Sequence, residues 1–164
     1  GMAIAKACYD TLRKYGKAAI TACENNVVTP ALDAIIEATV YLSGVGADNV
    51  NCAAPHSFYN GVTSLGGHEA YHGNCVAFGT LIQLTLECAD KAEFEDIQNF
   101  CLEVGLPITL AELGDFTDED LHTIAKNACV KGETIHNLAG DVTPDELYAA
   151  IIATDALGKA RLGK

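Results

Sequence analysis

Apolar residues recur along most of the chain with the spacing of amphipathic helices, and alternating runs of strand length are scarce. This spacing predicts helices near residues 3–14, 16–24, 30–43, 53–64, 74–88, 91–104, 118–131 and 144–160. The predicted fold class is therefore all-α, a helical bundle.

Several helix ends carry their own signals. Thr29 can cap exposed amides, and Pro30 suits a first helical position. Capping-box patterns begin at Thr117 and Thr143. The glycine-containing run 43–46 predicts the end of the third helix, with a loop to follow.

Two helices carry predictions about burial. The helix near 74–88 is apolar on nearly every side, which is typical of a helix at the centre of a bundle. The helix near 30–43 is expected to bury one apolar side. That side comprises Leu32, Ile35, Ile36, Val40 and Leu42.

Size and composition favour one globular domain. The chain has 164 residues, of which 49% are hydrophobic and 20% charged. A chain of this length can bury one core and is short for two. We therefore expect residues 1–164 to form a single helical domain.

Charge and hydropathy restrict the classes of partner that the protein is expected to bind. Twenty-two acidic residues against ten basic ones give a net charge of -12, which disfavours nucleic acid and anionic membrane surfaces. The most apolar run, 76–86, is far shorter than the roughly 20 residues of a membrane span. With no signal-peptide pattern at the start, a cytoplasmic location is expected.

The cysteine pattern also favours a cytoplasmic location. There are seven, an odd number, and none forms a C-x-x-C pair. Neither a zinc ribbon nor a disulfide framework is indicated. Most of them are expected to be small buried hydrophobes in a reducing compartment.

The run GGHEAYHGNC contains the pattern H-E-x-x-H at His68, Glu69 and His72. On a helix this pattern binds zinc and performs hydrolysis, with the glutamate as general base. The flanking glycines leave little room for such a helix, and no third ligand is evident. A loop histidine and a surface glutamate are the alternative for His68 and Glu69. For His72 a further alternative is a metal site shared with His56 of the run AAPHSFYNG.

Long stretches of the chain resemble the helical domain of the glycerol dehydrogenases, in the iron-containing alcohol dehydrogenase superfamily with its dehydroquinate synthase-like fold. The resemblance covers Ala7 to Gly158. It is carried by AAPHSFYNG, HEAYHGNCVAFGTLIQLTLE, NNVVTPALDAIIEATVYLSGVG, CLEVGLPITLAELG and KGETIHNLAGDVTPDELYAAIIATDALG.

The resemblance implies a different metal site from the hydrolase pattern. In this family His56 and His72 correspond to metal ligands, usually of zinc, with iron as an alternative. His68 and Glu69 then have no catalytic role. The family's third ligand, an aspartate, and its NAD-binding domain lie upstream of everything matched, so both are expected to be absent from this chain. Tyr59 stands where relatives often carry a second histidine.

The implied reaction is oxidation of glycerol or a similar polyol by NAD, giving dihydroxyacetone. Without the nucleotide-binding domain, the chain alone is expected to be inactive. A separately encoded N-terminal domain could complete it. The surface that such a domain would cover should be apolar, which favours oligomerisation, with a homo-oligomer expected.

Two other function classes remain open on the sequence. One is a non-catalytic helical module for binding or assembly, derived from the dehydrogenase domain. The other is the H-E-x-x-H zinc hydrolase. His122, His136, Asp141 and Asp145 are interpreted as structural, turn or helix-start residues.

Overall fold

The computed structural model describes residues 1–67 and 70–163, and within them it contains helices, turns and loops only. The all-α prediction is confirmed. The α-helices are α1 (Met2–Glu24), α2 (Pro30–Glu37), α3 (Ser43–Val50), α4 (Ala54–Thr63), α5 (His72–Leu86), α6 (Lys91–Val104), α7 (Asp118–Ala128) and α8 (Pro144–Leu162). Shorter elements are a π-helical turn (Ala38–Leu42) and two 3-10 turns (Leu110–Glu112, Thr134–Asn137).

The chain divides into two compact units, Gly1–Asn51 and Cys52–Lys164. The first holds α1 to α3, and the second holds α4 to α8. That the whole chain acts as a single domain stays a prediction. Among the described residues no helix is long and apolar enough to cross a membrane.

In the first unit, α1 is one helix of 23 residues where the sequence predicts two. Gly16 is buried inside this helix and does not break it. A glycine in a helix interior costs only about 1 kcal/mol relative to alanine. Packing of α1 against α2 outweighs that cost.

The predicted helix end at 43–46 is also wrong. The helix continues through the π-helical turn into α3 and ends at Asn51, whose φ is 62°. Gly46 is buried, and a Cβ placed there would lie 3.4 Å from the Cα of Ala5. This glycine therefore lies inside α3 where it packs on α1, and it does not terminate a helix.

The predicted apolar side of the third helix is wrong in part. Ile36 and Val40 are 51% and 63% exposed, whereas Ala38 between them is 1% exposed. The π-helical turn inserts an extra residue per turn and rotates the following residues around the helix axis. Val40 and Tyr41 consequently leave apolar side chains in solvent, and Ile36, which precedes the turn, is exposed as well.

In the second unit, α5 lies at the centre, as predicted. It packs against α4, α6 and α8. Its fully buried side chains are Cys75, Phe78, Leu81 and Ile82. The largest core cluster joins α4, α5, α7 and α8 around these residues.

The predicted helix starts are confirmed by hydrogen bonds. Thr29 Oγ1 accepts from the amide of Leu32 at 3.3 Å. Capping boxes are present at Thr117 and Thr143. Gly105 ends α6 in the left-handed conformation, with φ 74°.

The cysteines are free thiols in this structure, and fewer of them are buried than predicted. Cys8, Cys75 and Cys101 are buried. The other four are half-buried or exposed, so most of the thiols are not core residues.

Candidate metal-binding site

His56 and His72 lie close together on separate helices of the second unit. His56 is in the first turn of α4, and His72 is the first residue of α5. Their ring centroids are 5.3 Å apart, and the ring planes meet at 57°. The structure thus brings together the two residues that the family resemblance selects.

A close approach of the two helices sets this distance. A Cβ placed on Gly79 of α5 would lie 2.7 Å from the Cα of Pro55 in α4. Only glycine allows the backbones to come this close. Phe58 and Phe78 pack beneath, with ring centroids 5.7 Å apart, and both are fully buried.

A buried hydroxyl network anchors the start of α4. Ser57 Oγ accepts from the amide of Ile135 at 2.6 Å and lies 3.0 Å from Thr134 Oγ1. Thr134 Oγ1 donates to the carbonyl of Ala53 at 2.8 Å. The 3-10 turn Thr134–Asn137 is thereby tied to the turn that carries His56.

In addition to His56, Tyr59 makes a ring contact with His72. Its ring meets the imidazole edge to face, with centroids 4.4 Å apart and an interplanar angle of 84°. Tyr59 is half-buried and follows His56 by one helical turn. The sequence marks Tyr59 only as a departure from the family pattern, and it does not reveal this contact.

The environment favours a neutral His56. Burial lowers the pKa of His56, and positive charge on His72 lowers it further. Neutral imidazole is the form that binds metal ions. At neutral pH His56 therefore offers a nitrogen lone pair.

The two rings suit a shared metal ion. Two imidazoles on one tetrahedral zinc, with Zn–N bonds of about 2 Å, place their ring centroids about 5 Å apart. The observed 5.3 Å agrees with that geometry. Within residues 1–67 and 70–163, no group of three histidine, cysteine, aspartate or glutamate side chains is placed to hold a metal. The residues present thus fit two ligands of a metal site that needs at least one more.

No protein-family model matches the chain. Glycerol dehydrogenase of Pseudomonas putida is 47% identical over 160 residues, which is 95% of this chain and 44% of that protein. Glycerol dehydrogenase of Citrobacter freundii is 46% identical over 99% of this chain and 46% of its own length. Glycolaldehyde reductase of Halobacterium salinarum is 43% identical over 97% of this chain and 44% of its own length.

A solved structure also matches this chain. A probable glycerol dehydrogenase from Sinorhizobium meliloti superposes with a TM-score of 0.91 at 40% identity, covering 98% of this chain and 46% of that one. This chain is a relative of the glycerol dehydrogenases. It spans a little under half the length of the glycerol dehydrogenases it matches.

The hydrolase interpretation does not suit this glycerol dehydrogenase relative. It needs one helix to carry the H-E-x-x-H pattern, but Ala70 and Tyr71 are not helical, and α5 begins only at His72. His68 and Glu69 lie outside the described residues. Among the motif residues that the structure describes, His72 lies in the candidate site.

The other histidines make structural contacts. His122 stacks on Tyr148 with ring centroids 4.0 Å apart. His136 Nε2 lies 3.2 Å from the carbonyl oxygen of Val130. Asp145 occupies the first turn of α8, in agreement with its predicted helix-start role.

Proposed function

We propose that this chain is the metal-binding part of a glycerol dehydrogenase-type oxidoreductase, which moves a hydride from glycerol to NAD and leaves dihydroxyacetone. The observation that carries the proposal is the pairing of His56 and His72 across α4 and α5. The proposed reaction is that of the relatives named glycerol dehydrogenase, which match this chain over nearly its whole length.

Each residue of the site has a task in this proposal. His56 and His72 hold zinc, with iron as the alternative metal. When bound, the metal lowers the pKa of the substrate hydroxyl and stabilises the alkoxide. Tyr59 restricts rotation of the His72 ring through its edge contact. Burial keeps His56 unprotonated and available as a ligand.

The remaining parts of the site come from outside these residues. The third ligand, an aspartate, and the NAD-binding domain are supplied by the rest of a longer protein or by a separate chain. The share of the relatives that this chain spans supports such a division. Assembly into a homo-oligomer belongs to the same proposal. A cofactor domain is required because hydride transfer needs the nicotinamide aligned with the substrate carbon.

The substrate is a polyol or hydroxy carbonyl compound of two or three carbons. Glycerol is the first candidate because relatives at 46% and 47% identity are named for it. Glycolaldehyde is the second, since a relative at 43% identity is a glycolaldehyde reductase. Both present a hydroxyl beside the reacting carbon.

Zinc titration of the full 164-residue chain tests the proposal. Isothermal calorimetry is run on the wild type and on the variants His56→Ala and His72→Ala. Each variant should bind zinc about tenfold more weakly or worse, because a protein ligand is removed. The variants His136→Ala and His68→Ala are the controls and should bind zinc as the wild type does.

Two results contradict the assignment. If zinc binding depends on His68 and ignores His56, the H-E-x-x-H hydrolase returns as the better interpretation. If all four variants bind zinc equally, the two facing imidazoles are not ligands. In that case a non-catalytic helical module becomes the better interpretation.

A further inference from the structure

A cavity of about 470 Å³ lies in the second unit between the end of α5, the start of α6 and the end of α8. Its walls are mainly apolar and include Leu84, Phe94 and Leu157. The volume is in the range of small-molecule sites. None of its lining residues belongs to α4 or to the first turn of α5, which carry the histidine pair.

The cavity contains an unusual polar group. Gln98 lines it, and this side chain is only 3% exposed. Its Nε2 is buried without a hydrogen-bond partner. Buried polar groups are nearly always paired, because an unmade hydrogen bond in the interior is costly. Because Gln98 lines the cavity, rotation of its side chain toward a ligand oxygen there would give this amide an acceptor.

The rim of the cavity adds positive charge. Arg161 lines it, and its Nε and Nη2 donate to Asn99 Oδ1 at 3.2 and 2.7 Å. That contact fixes the guanidinium while three of its five N–H groups remain unused by Asn99. Lys91 and Glu95, which also line the cavity, pair with each other at 3.6 Å, so Arg161 provides the net positive charge of the rim. The chain has a net charge of -12, so a positive charge held beside an apolar cavity differs in sign from the charge of the protein as a whole.

We propose that this cavity binds a small amphiphile, an apolar chain ending in a carboxylate. The chain fills the space among Leu84, Phe94 and Leu157. The carboxylate accepts from the Gln98 amide and from Arg161, which is the donor best suited to it. This site is independent of the proposed dehydrogenase function.

Octanoate is the probe, titrated into the full chain and followed by NMR of the side-chain amides. The Gln98 amide signal should shift and saturate. Gln98→Leu removes the donor, and it should weaken octanoate binding about tenfold, as expected for a lost hydrogen bond to a charged group. Because this variant also removes an unpaired buried amide, its thermal stability should equal or exceed that of the wild type.

A pair of tryptophan variants tests the location. Ala160→Trp places a bulky ring on a residue that lines the cavity and should abolish saturable binding. Ala156→Trp, an exposed position on the same helix that does not line the cavity, is the matched control and should bind octanoate normally. Octanol, which lacks the carboxylate, should bind the wild type more weakly than octanoate does. The Arg161→Gln variant should bind octanol and octanoate equally.

Three results overturn the proposal. The first is the absence of saturable octanoate binding to the wild type. The second is unchanged binding in Ala160→Trp. The third is that Ala160→Trp disrupts an oligomer of the chain while octanoate has no effect on the Gln98 amide signal. That last outcome assigns the cavity to an interface between copies.

Discussion

At the scale of single residues, Ser57 supports the candidate site most directly. It is fully buried on α4, next to His56. The Thr134 hydroxyl gives its hydrogen to Ala53, so Ser57 must donate to Thr134 while accepting from the amide of Ile135. One hydroxyl thus satisfies two partners, and the start of α4 depends on it.

Ser57→Ala should destabilise the chain by about 1–3 kcal/mol, because the buried amide of Ile135 loses its acceptor. Urea unfolding followed by circular dichroism measures the change. Ser43→Ala, at an exposed position, is the control and should stay within about 0.5 kcal/mol of the wild type. Equal stabilities of the two variants would show that the network contributes nothing.

At the scale of elements, the packing of α5 on α4 decides where the histidines meet. Gly79 is buried at this contact, whereas a Cβ on Gly73, six residues earlier in the same helix, would meet nothing within 4 Å. The two glycines therefore form a natural pair for comparison. The contact with α4 requires a glycine at position 79, whereas no tertiary contact requires one at position 73.

Gly79→Ala should destabilise the chain by about 1–3 kcal/mol, because its methyl group would force α5 away from Pro55. The same movement separates His56 from His72, so zinc binding should weaken as well. Gly73→Ala should leave stability unchanged or raise it by up to about 1 kcal/mol. Thermal unfolding and zinc calorimetry provide the readouts. A neutral Gly79→Ala would mean that the helices are not in close contact.

The start of α8 should respond to acid through Glu146. Its Oε2 accepts from the backbone amide and the hydroxyl of Thr143 at 2.8 and 2.7 Å. These bonds hold the pKa of Glu146 below its usual value, against a small opposing effect of burial. A lowered folded-state pKa stabilises the helix start above the unfolded pKa, about 4.3. This stabilisation is lost as the pH falls through the folded pKa.

Between neutral pH and about pH 3, the protection of the first-turn amides of α8 against exchange, relative to their intrinsic exchange rates at each pH, should fall in the wild type. Glu146→Gln retains the capping pattern without a titrating group, so its protection should change less. Asp145→Asn, in the same turn but outside the capping box, should behave as the wild type does. Identical pH dependence in the wild type and Glu146→Gln would exclude Glu146 as the titrating group.

At the scale of the whole molecule, the proposed metal site of His56 and His72 is incomplete within the described residues. The described residues add no third ligand, and the chain spans under half of its glycerol dehydrogenase relatives. The first unit also leaves Ile36, Val40 and Tyr41 in solvent. Exposed apolar side chains in a group are typical of surfaces that contact a partner.

The isolated chain should therefore show no turnover with glycerol, NAD and zinc. A full-length glycerol dehydrogenase assayed in parallel is the positive control, with NADH absorbance as the readout. Addition of a protein that carries the NAD-binding part and the ligand aspartate should restore activity, and His72→Ala should prevent that restoration. A rate for the chain alone within about tenfold of the control would refute the division of the site.

The sequence alone determined the features that depend on neighbours along the chain. Helical periodicity, the capping boxes at Thr117 and Thr143, and a helix over residues 91–104 were all predicted and are present. Such features arise from hydrogen bonds within a few residues, so a local pattern specifies them. The choice of His56 and His72 came from resemblance and not from spacing.

The tertiary structure decided what depends on residues far apart. Gly16 and Gly46 look like helix breakers in sequence, yet both lie inside helices because packing between helices outweighs the local cost. Gly79 and Gly73 look alike in sequence, and only the contact with Pro55 separates them. The facing of the two imidazoles likewise depends on how α4 and α5 cross, since side-chain packing between elements sets that geometry.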